Sequence, residues 1–192
     1  MKAAEFILTI KNALSAEECQ SYIALTEQTG YEAATLTTRK GFVLNPEIRN
    51  NERVIIDDFE IAKNLWLRVA DKIPQVLAGR QALGLNERFR FYRYDVGQYF
   101  APHVDGAFYR DNGEQSLLTF MIYLNEDFEG GETNFGETRI KPETGMALIF
   151  DHGLLHEGCA VTKGRKYALR SDVMYGRVGF LTSNPPLFLK RY

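Results

Sequence analysis

His103-Val104-Asp105, a second histidine at His156 and a lysine at Lys166 are the residues whose types and order could do chemistry in this chain. Two imidazoles and one carboxylate suit a non-haem Fe(II) site, in which the protein holds one face of the metal and leaves the other open. Val104 matters as a spacer, because side chains two apart in an extended segment point to the same side and can reach one ion. A basic side chain a fixed distance past the distal histidine stands where the far carboxylate of an acidic cosubstrate could reach it. H-x-D alone arises often by chance. Joined to His156 within Leu154-Leu155-His156-Glu157-Gly158, and to Lys166 in a strand-like run, it is a specific combination. His152, the remaining histidine, competes for the third ligand position, and is otherwise expected in a turn beside the site.

Such residues need a rigid frame. From Glu87 onward the pattern is one of short strands, with candidates at 88–95, 98–104, 116–124, 132–135, 138–141, 146–151, 154–159 and 166–175. Asp111-Asn112-Gly113, Glu129-Gly130-Gly131 and Pro142-Glu143-Thr144-Gly145 supply turns between them. Gly97, Gly130 and Gly131 read as turn geometry and not as phosphate loops, since no helix start follows them.

The first part of the chain reads differently. Glu5–Ile10 predicts a short strand, and Ser15-Ala16-Glu17-Glu18 is a capping box opening a helix that Gly30 ends. Residues 35–53, with Gly41, Pro46 and paired asparagines, read as a mobile loop carrying arginines. Asp57-Asp58 opens a second helix with Ile61, Leu65, Trp66, Val69 and Ile73 on one face. Pro74 breaks it and opens a short further helix ending near Gly79 or Gly84. The expected class is α+β, mainly β: a double-stranded β-helix (jelly roll) core with N-terminal supporting helices. One domain is expected over 1–192, with a helical support region at 1–85, the core at 86–180 and a C-terminal tail at 181–192. Asn184-Pro185-Pro186 marks that tail as irregular, with Leu187, Phe188 and Leu189 expected to pack back on the body.

Bulk properties narrow the function classes. Apolar content of 45% and charged content of 25% are those of an ordinary soluble globular domain, and 192 residues suffice to bury a sizeable core. Net charge is −2 with no basic stripe, so nucleic acid is not an expected partner. Neither a membrane-length apolar run nor a signal-peptide pattern is present, so no membrane partner is expected. Cys19 and Cys159 do not make a disulfide framework, which points to the cytoplasm.

From about Arg88 to Tyr175 the chain resembles the 2-oxoglutarate- and Fe(II)-dependent oxygenases, and within them the prolyl 4-hydroxylase-like group. The resemblance is carried by Tyr94-Asp95-Val96-Gly97-Gln98-Tyr99 and His103-Val104-Asp105. It continues through Thr119-Phe120-Met121-Ile122-Tyr123-Leu124-Asn125, Gly130-Gly131-Glu132-Thr133, Pro142-Glu143-Thr144-Gly145, and His156 with Lys166. More loosely, Leu14-Ser15-Ala16-Glu17-Glu18-Cys19 and Arg49-Asn50-Asn51-Glu52-Arg53 extend it toward the N-terminus. It implies Fe(II), 2-oxoglutarate and O2 as cofactors, with ascorbate as a candidate reductant, and decarboxylation to succinate coupled to hydroxylation of a C–H bond. It favours His156 over His152 as the distal ligand, and assigns Lys166 to the 5-carboxylate of 2-oxoglutarate.

The same resemblance places Tyr94 and Tyr123 at that carboxylate, with Thr119 and Thr133 as weaker candidates. Parity puts Lys166, Ala168, Arg170 and Asp172 on one strand face and Tyr167, Leu169, Val173 and Tyr175 on the other. Arg170 therefore either contacts cosubstrate or substrate, or pairs with Asp172. Asp105 argues against halogenation, for which related enzymes replace the carboxylate by a small residue. The stretch Arg165–Asp172 departs from the distal motif of the alkylation-repair demethylases.

For substrate, the loops at 35–53 and 106–115 offer Arg49, Arg53, Tyr109 and Arg110. The resemblance implies a prolyl residue of a protein or peptide. A free amino acid or other small molecule is the alternative, and an inactive jelly-roll binding module is a third. Nothing in the sequence specifies the oligomeric state.

Overall fold

A computed structural model describes residues 6–38 and 41–177. Its frame is two antiparallel sheets. Seven strands of the larger, nine-stranded sheet follow the path Ile7–Ile10, Ala147–Asp151, Gln115–Tyr123, Lys166–Arg177, Arg88–Tyr94, Glu52–Asp57 and Glu32–Ala33, and the other two, Val76–Leu77 and Arg80–Leu85, join off this path through Lys166–Arg177. The smaller, four-stranded sheet runs Arg139–Ile140, Thr133–Asn134, His156–Gly158 and Phe100–His103. Together they form the expected double-stranded β-helix.

Alternation gives the larger sheet two unlike faces. Phe89, Phe91, Leu118, Phe120, Ile122, Ile149, Leu169 and Val173 point one way and are buried in the main apolar core. Two helices cover that face: α1 (Ala16–Thr29) and α2 (Phe59–Val69). Ser15 caps α1, accepting from the Glu18 amide while the Glu18 carboxylate accepts from the Ser15 amide. Asp58 caps α2 by accepting from the amides of Glu60 and Ile61. Cys19 on α1 and Ala62, Leu65 and Val69 on α2 are buried apolar side chains in that core. The opposite face carries Lys166, Ala168, Arg170, Asp172, Thr119 and Met121, and looks into a cavity of about 490 Å³.

The expected strands from 88 onward are present, several shortened: 98–104 is Phe100–His103, 132–135 is Thr133–Asn134, and 154–159 starts at His156. Two expectations before residue 86 are corrected. Pro74 opens no helix. A 3-10 turn at Ala70–Lys72 follows α2, and the hairpin Val76–Leu77/Arg80–Leu85 comes next. Ala78 and Gly79 both have positive φ, 50° and 70°, the geometry of a tight hairpin turn, and the second strand pairs with Lys166–Arg177. Tertiary pairing, unavailable to local spacing, thus decides that segment. Strands also occur within 35–53, where a loop is expected: Leu36–Thr38 pairs with Gly41–Val43, and Glu52 begins a strand against Arg88–Tyr94.

Among the described residues no helix is long and apolar enough to cross a membrane. Cys19 and Cys159 are both free. Glu5 and the tail, including Asn184-Pro185-Pro186 and Leu187 to Leu189, lie outside the described residues.

Gly145 makes a sharp test of the turn that joins the α1 entry to the sheet. Its φ is +76°, and a Cβ there would meet the Leu14 carbonyl oxygen at 2.1 Å. That carbonyl is backbone and cannot swing away. Gly145→Ala should therefore lower unfolding free energy by roughly 2–4 kcal/mol in urea titrations; an unchanged midpoint would show that this approach is not rigid.

Candidate metal centre

The ladder of the small sheet pairs His156 directly with His103, so the two imidazoles emerge side by side with ring centres 4.3 Å apart. Asp105 lies just past the strand end, where its amide donates to the His152 carbonyl at 2.9 Å and turns the carboxylate back toward both rings. His103 Nε2 is 3.7 Å from Asp105 Oδ1, and His156 Nε2 is 3.7 Å from Asp105 Oδ2. One ligand atom from each of the three residues lies within 4.8 Å of the others. Donors bonded at about 2.1 Å on adjacent positions of a metal stand roughly 3 Å apart, so small rotations close the set on one cation.

Hydrogen bonding prepares both imidazoles for this. His103 Nδ1 is 2.9 Å from the Ala101 carbonyl oxygen, and His156 Nδ1 is 2.9 Å from that of Leu154. A carbonyl only accepts, so each Nδ1 carries the proton and each Nε2 keeps its lone pair for a metal. Burial pushes the His103 pKa down to about 4, with the neighbouring His156 adding to the effect. That ring is therefore neutral at pH 7. Burial by itself would raise the Asp105 pKa, but Arg170, His156 and the Thr119 hydroxyl outweigh it and hold the carboxyl far below its ordinary range. Two imidazole nitrogens and one carboxylate with an open side fit ferrous iron.

His152 is not part of the donor set. Thr119 Oγ1 donates to Asp105 Oδ2 at 2.5 Å and lies 2.9 Å from His152 Nδ1, while Ser116 Oγ lies 2.8 Å from His152 Nε2. With the Thr119 proton spent on Asp105, His152 Nδ1–H must donate to Thr119, leaving Nε2 to accept from Ser116. Both ring nitrogens are occupied, and the histidine orients a ligand through Thr119. Burial lowers its pKa and so favours the neutral ring. Thr119, expected at the cosubstrate, is thus tied to Asp105, although it also lines the cavity.

Lys166 is only 2% exposed. Its ammonium donates to the Gly131 carbonyl at 2.6 Å and faces the rings of Tyr94 and Tyr123 at 5.0 and 5.4 Å. Burial pushes its pKa down to about 8. A cation this deep, with carbonyl and aromatic neighbours, suits an incoming carboxylate. Tyr94 and Thr133 line the cavity beside it. Tyr123 stands behind them, fully buried, with its hydroxyl 2.6 Å from Thr133 Oγ1.

The remaining candidates divide. Arg170 makes the expected pair with Asp172, Nη2 lying 3.2 Å from Asp172 Oδ1, and is also 3.2 Å from Asp105 Oδ2. Arg49 and Arg53 line the cavity. Tyr109 and Arg110 do not. Tyr109 is 70% exposed, and Arg110 is held by Glu87 and Glu114. Their loop reaches the cavity through Gly106, Ala107 and Phe108 instead. Arg90 and Tyr92 also line the cavity, beyond the residues that the sequence singles out. The signal was available, because Phe89 and Phe91 face the core and alternation sends Arg90, Tyr92 and Tyr94 the other way.

A sequence profile described as the 2OG-Fe(II) oxygenase superfamily matches residues 89–171. A probable prolyl 4-hydroxylase, number 3, of Arabidopsis thaliana is 26% identical over 194 aligned positions, covering 82% of this chain and 65% of that protein. The chain therefore spans less than two thirds of the length of this relative, as it does of a second Arabidopsis one at 64%. Among solved structures, a viral collagen prolyl hydroxylase of Paramecium bursaria Chlorella virus-1 in complex with 2OG superposes with a TM-score of 0.64 at 25% identity, covering 89% of this chain and 97% of that one. A Trichoplax adhaerens prolyl hydroxylase, solved with a hypoxia-inducible-factor peptide fragment, has a TM-score of 0.67 at 20% identity, covering 87% and 82%. Its sheets, its converging donors and these likenesses together make the chain similar to the 2OG-Fe(II) oxygenase superfamily and, within it, to prolyl 4-hydroxylases.

Proposed function

We propose that this protein is an Fe(II)- and 2-oxoglutarate-dependent dioxygenase that hydroxylates a C–H bond, acting on a prolyl residue of a protein or peptide. One observation carries the reading: His103, Asp105 and His156 converge on a cavity that also exposes the buried ammonium of Lys166. Iron with 2-oxoglutarate and O2 supplies decarboxylation to succinate and CO2 coupled to hydroxylation.

The chain's own residues bind and orient. His103 and His156 offer Nε2, fixed by their backbone hydrogen bonds, and Asp105 offers a carboxylate kept ionised by Arg170 and Thr119. Lys166, with Tyr94 and Thr133 alongside, takes the 5-carboxylate of 2-oxoglutarate. Phe100 stacked on His103 at 3.5 Å, and Phe135 and Phe150 against His156, keep bulk water from the donor atoms. Ascorbate would serve as an external reductant. The prolyl assignment is supported by the relatives' described activities. Two free cysteines support a reducing, cytoplasmic setting. A free amino acid is the second reading, supported by the number of cavity arginines able to meet its carboxylate.

Anaerobic addition of Fe(II) and 2-oxoglutarate should produce the weak visible charge-transfer band of the chelate, and folded protein without it would count against the whole reading. Asp105→Ala should lower succinate formation at least 100-fold and abolish Mn(II) binding in calorimetry. His152→Ala should still bind one Mn(II); loss of that stoichiometry in folded protein would reassign the ligands. Lys166→Ala should weaken 2-oxoglutarate binding at least tenfold, read from titration of the band. The Lys166 ammonium is charged below its pKa of about 8 and neutral above it, so 2-oxoglutarate affinity should fall as pH rises from 7 to 9. Lys166→Arg should flatten that profile, and an affinity indifferent to pH in the wild type would remove Lys166 from the role.

A further inference from the structure

The cavity wall holds more positive charge than metal and cosubstrate can account for. Five cationic side chains line it, Arg49, Arg53, Arg90, Lys166 and Arg170, against two carboxylates, Asp105 and Asp172. A divalent metal and a dicarboxylate cosubstrate cancel each other, which leaves the excess in place. Asp172 is shared: it lies 3.2 Å from Arg170 and 3.6 Å from Arg90. Asp105 is engaged by Arg170 and both ligand histidines.

Buried donors on these arginines also lack hydrogen-bond partners, although Arg90 Nη1 is ion-paired with Asp172. Arg49 Nη2, Arg90 Nη1 and Arg170 Nε make no hydrogen bond among the described residues. Buried polar groups are ordinarily paired, and guanidinium donors match a carboxylate in a two-point fork. Arg49 is presented rigidly. Its guanidinium packs 4.6 Å from the Tyr92 ring centre and 4.4 Å from that of Phe100, while Nε donates to Asn51 Oδ1 at 2.7 Å. Phe100 in turn stacks on the ligand His103. Arg53 reaches the same wall from the next strand, braced by the Thr35 carbonyl and hydroxyl. The local field is strong enough to be felt by a neighbour: burial alone would raise the Tyr92 pKa, yet Arg49, Arg170 and Arg90 outweigh it and bring it below its ordinary value.

We propose that Arg49, Arg53 and Arg90 form a carboxylate-binding subsite for the substrate, so that the hydroxylated residue carries or adjoins an acidic group. This rests on the oxygenase reading above and narrows its substrate class. The carboxylate has two sources: an aspartate or glutamate side chain next to the target in a peptide, or the α-carboxylate of a free amino acid. Arg170, already bound to Asp105 and Asp172, couples this subsite to the metal ligand.

Calorimetry on the full chain loaded with Mn(II) and 2-oxoglutarate tests the subsite with two matched pairs: acetyl-Pro-Glu-amide against acetyl-Pro-Gln-amide, and L-proline against L-prolinamide. In at least one pair the carboxylate should bind about tenfold more tightly than its amide. Preference within the first pair identifies a side-chain source, and preference within the second an α-carboxylate. Arg49→Gln should reduce the preference to under threefold while Mn(II) and 2-oxoglutarate affinities stay within twofold. Arg53→Gln, on a less buried residue, does the same if Arg49→Gln fails to fold. Absence of carboxylate preference in both pairs, with Mn(II) and 2-oxoglutarate still bound, overturns the proposal alone. So does a loss of 2-oxoglutarate affinity in the folded arginine variants, which would give the wall to the cosubstrate. Failure to take up Mn(II) and 2-oxoglutarate at all overturns the oxygenase reading and this proposal with it.

Discussion

Three side chains can share one ion only if the backbone forbids each of them to turn away. Here that is done by a cross-strand pair, His103 against His156, and by a backbone hydrogen bond to each Nδ1. The pairing sets where the rings stand, and the carbonyl acceptors set which nitrogen faces inward. Asp105 is drawn into the same arrangement because its amide is claimed by His152, the residue at which the other strand turns. Ligand geometry is therefore a property of the small sheet's register, and a slip of one residue would send one imidazole to the opposite face.

The large sheet performs a separation of a different kind. Its strand Lys166–Arg177 is almost wholly buried, with Tyr167, Leu169 and Val173 in the helix-covered core and Lys166, Arg170 and Asp172 facing the cavity. Burying charges is costly unless they are paired, and the apolar packing of α1 and α2 on the far face helps support that cost. The cationic face is thus held by a rigid, two-layered scaffold, which suits a site that must meet anions without rearranging. The same frame positions His152, whose hydrogen bonds run from Ser116 through Thr119 to the Asp105 carboxylate.

How much of this was legible beforehand follows from the range of each interaction. The capping box at Ser15, the N-cap at Asp58, the strand pattern after Glu87 and the alternation along Lys166–Asp172 are local, and they were read correctly. Local spacing at 76–85 suggests a helix, but pairing with a distant strand makes it a hairpin. The loop at 106–115 suggests Tyr109 and Arg110 for substrate, yet carboxylates of Glu87 and Glu114 hold Arg110 away from the cavity. The alternation that points Arg170 into the cavity applies equally to Arg90 and Tyr92, which line it as well.

By itself, then, the amino-acid order determined which chemistry is available: H-x-D, a distal histidine and a lysine at set spacing are covalent facts of the chain. Only the tertiary structure decided that His156, and not His152, completes the donor set, since that depends on which histidine faces His103 across a ladder and which has both nitrogens occupied. It also decided that Arg49, Arg53, Arg90 and Arg170, scattered along the sequence, share one wall. Their convergence comes from long-range strand pairing, which no local spacing encodes.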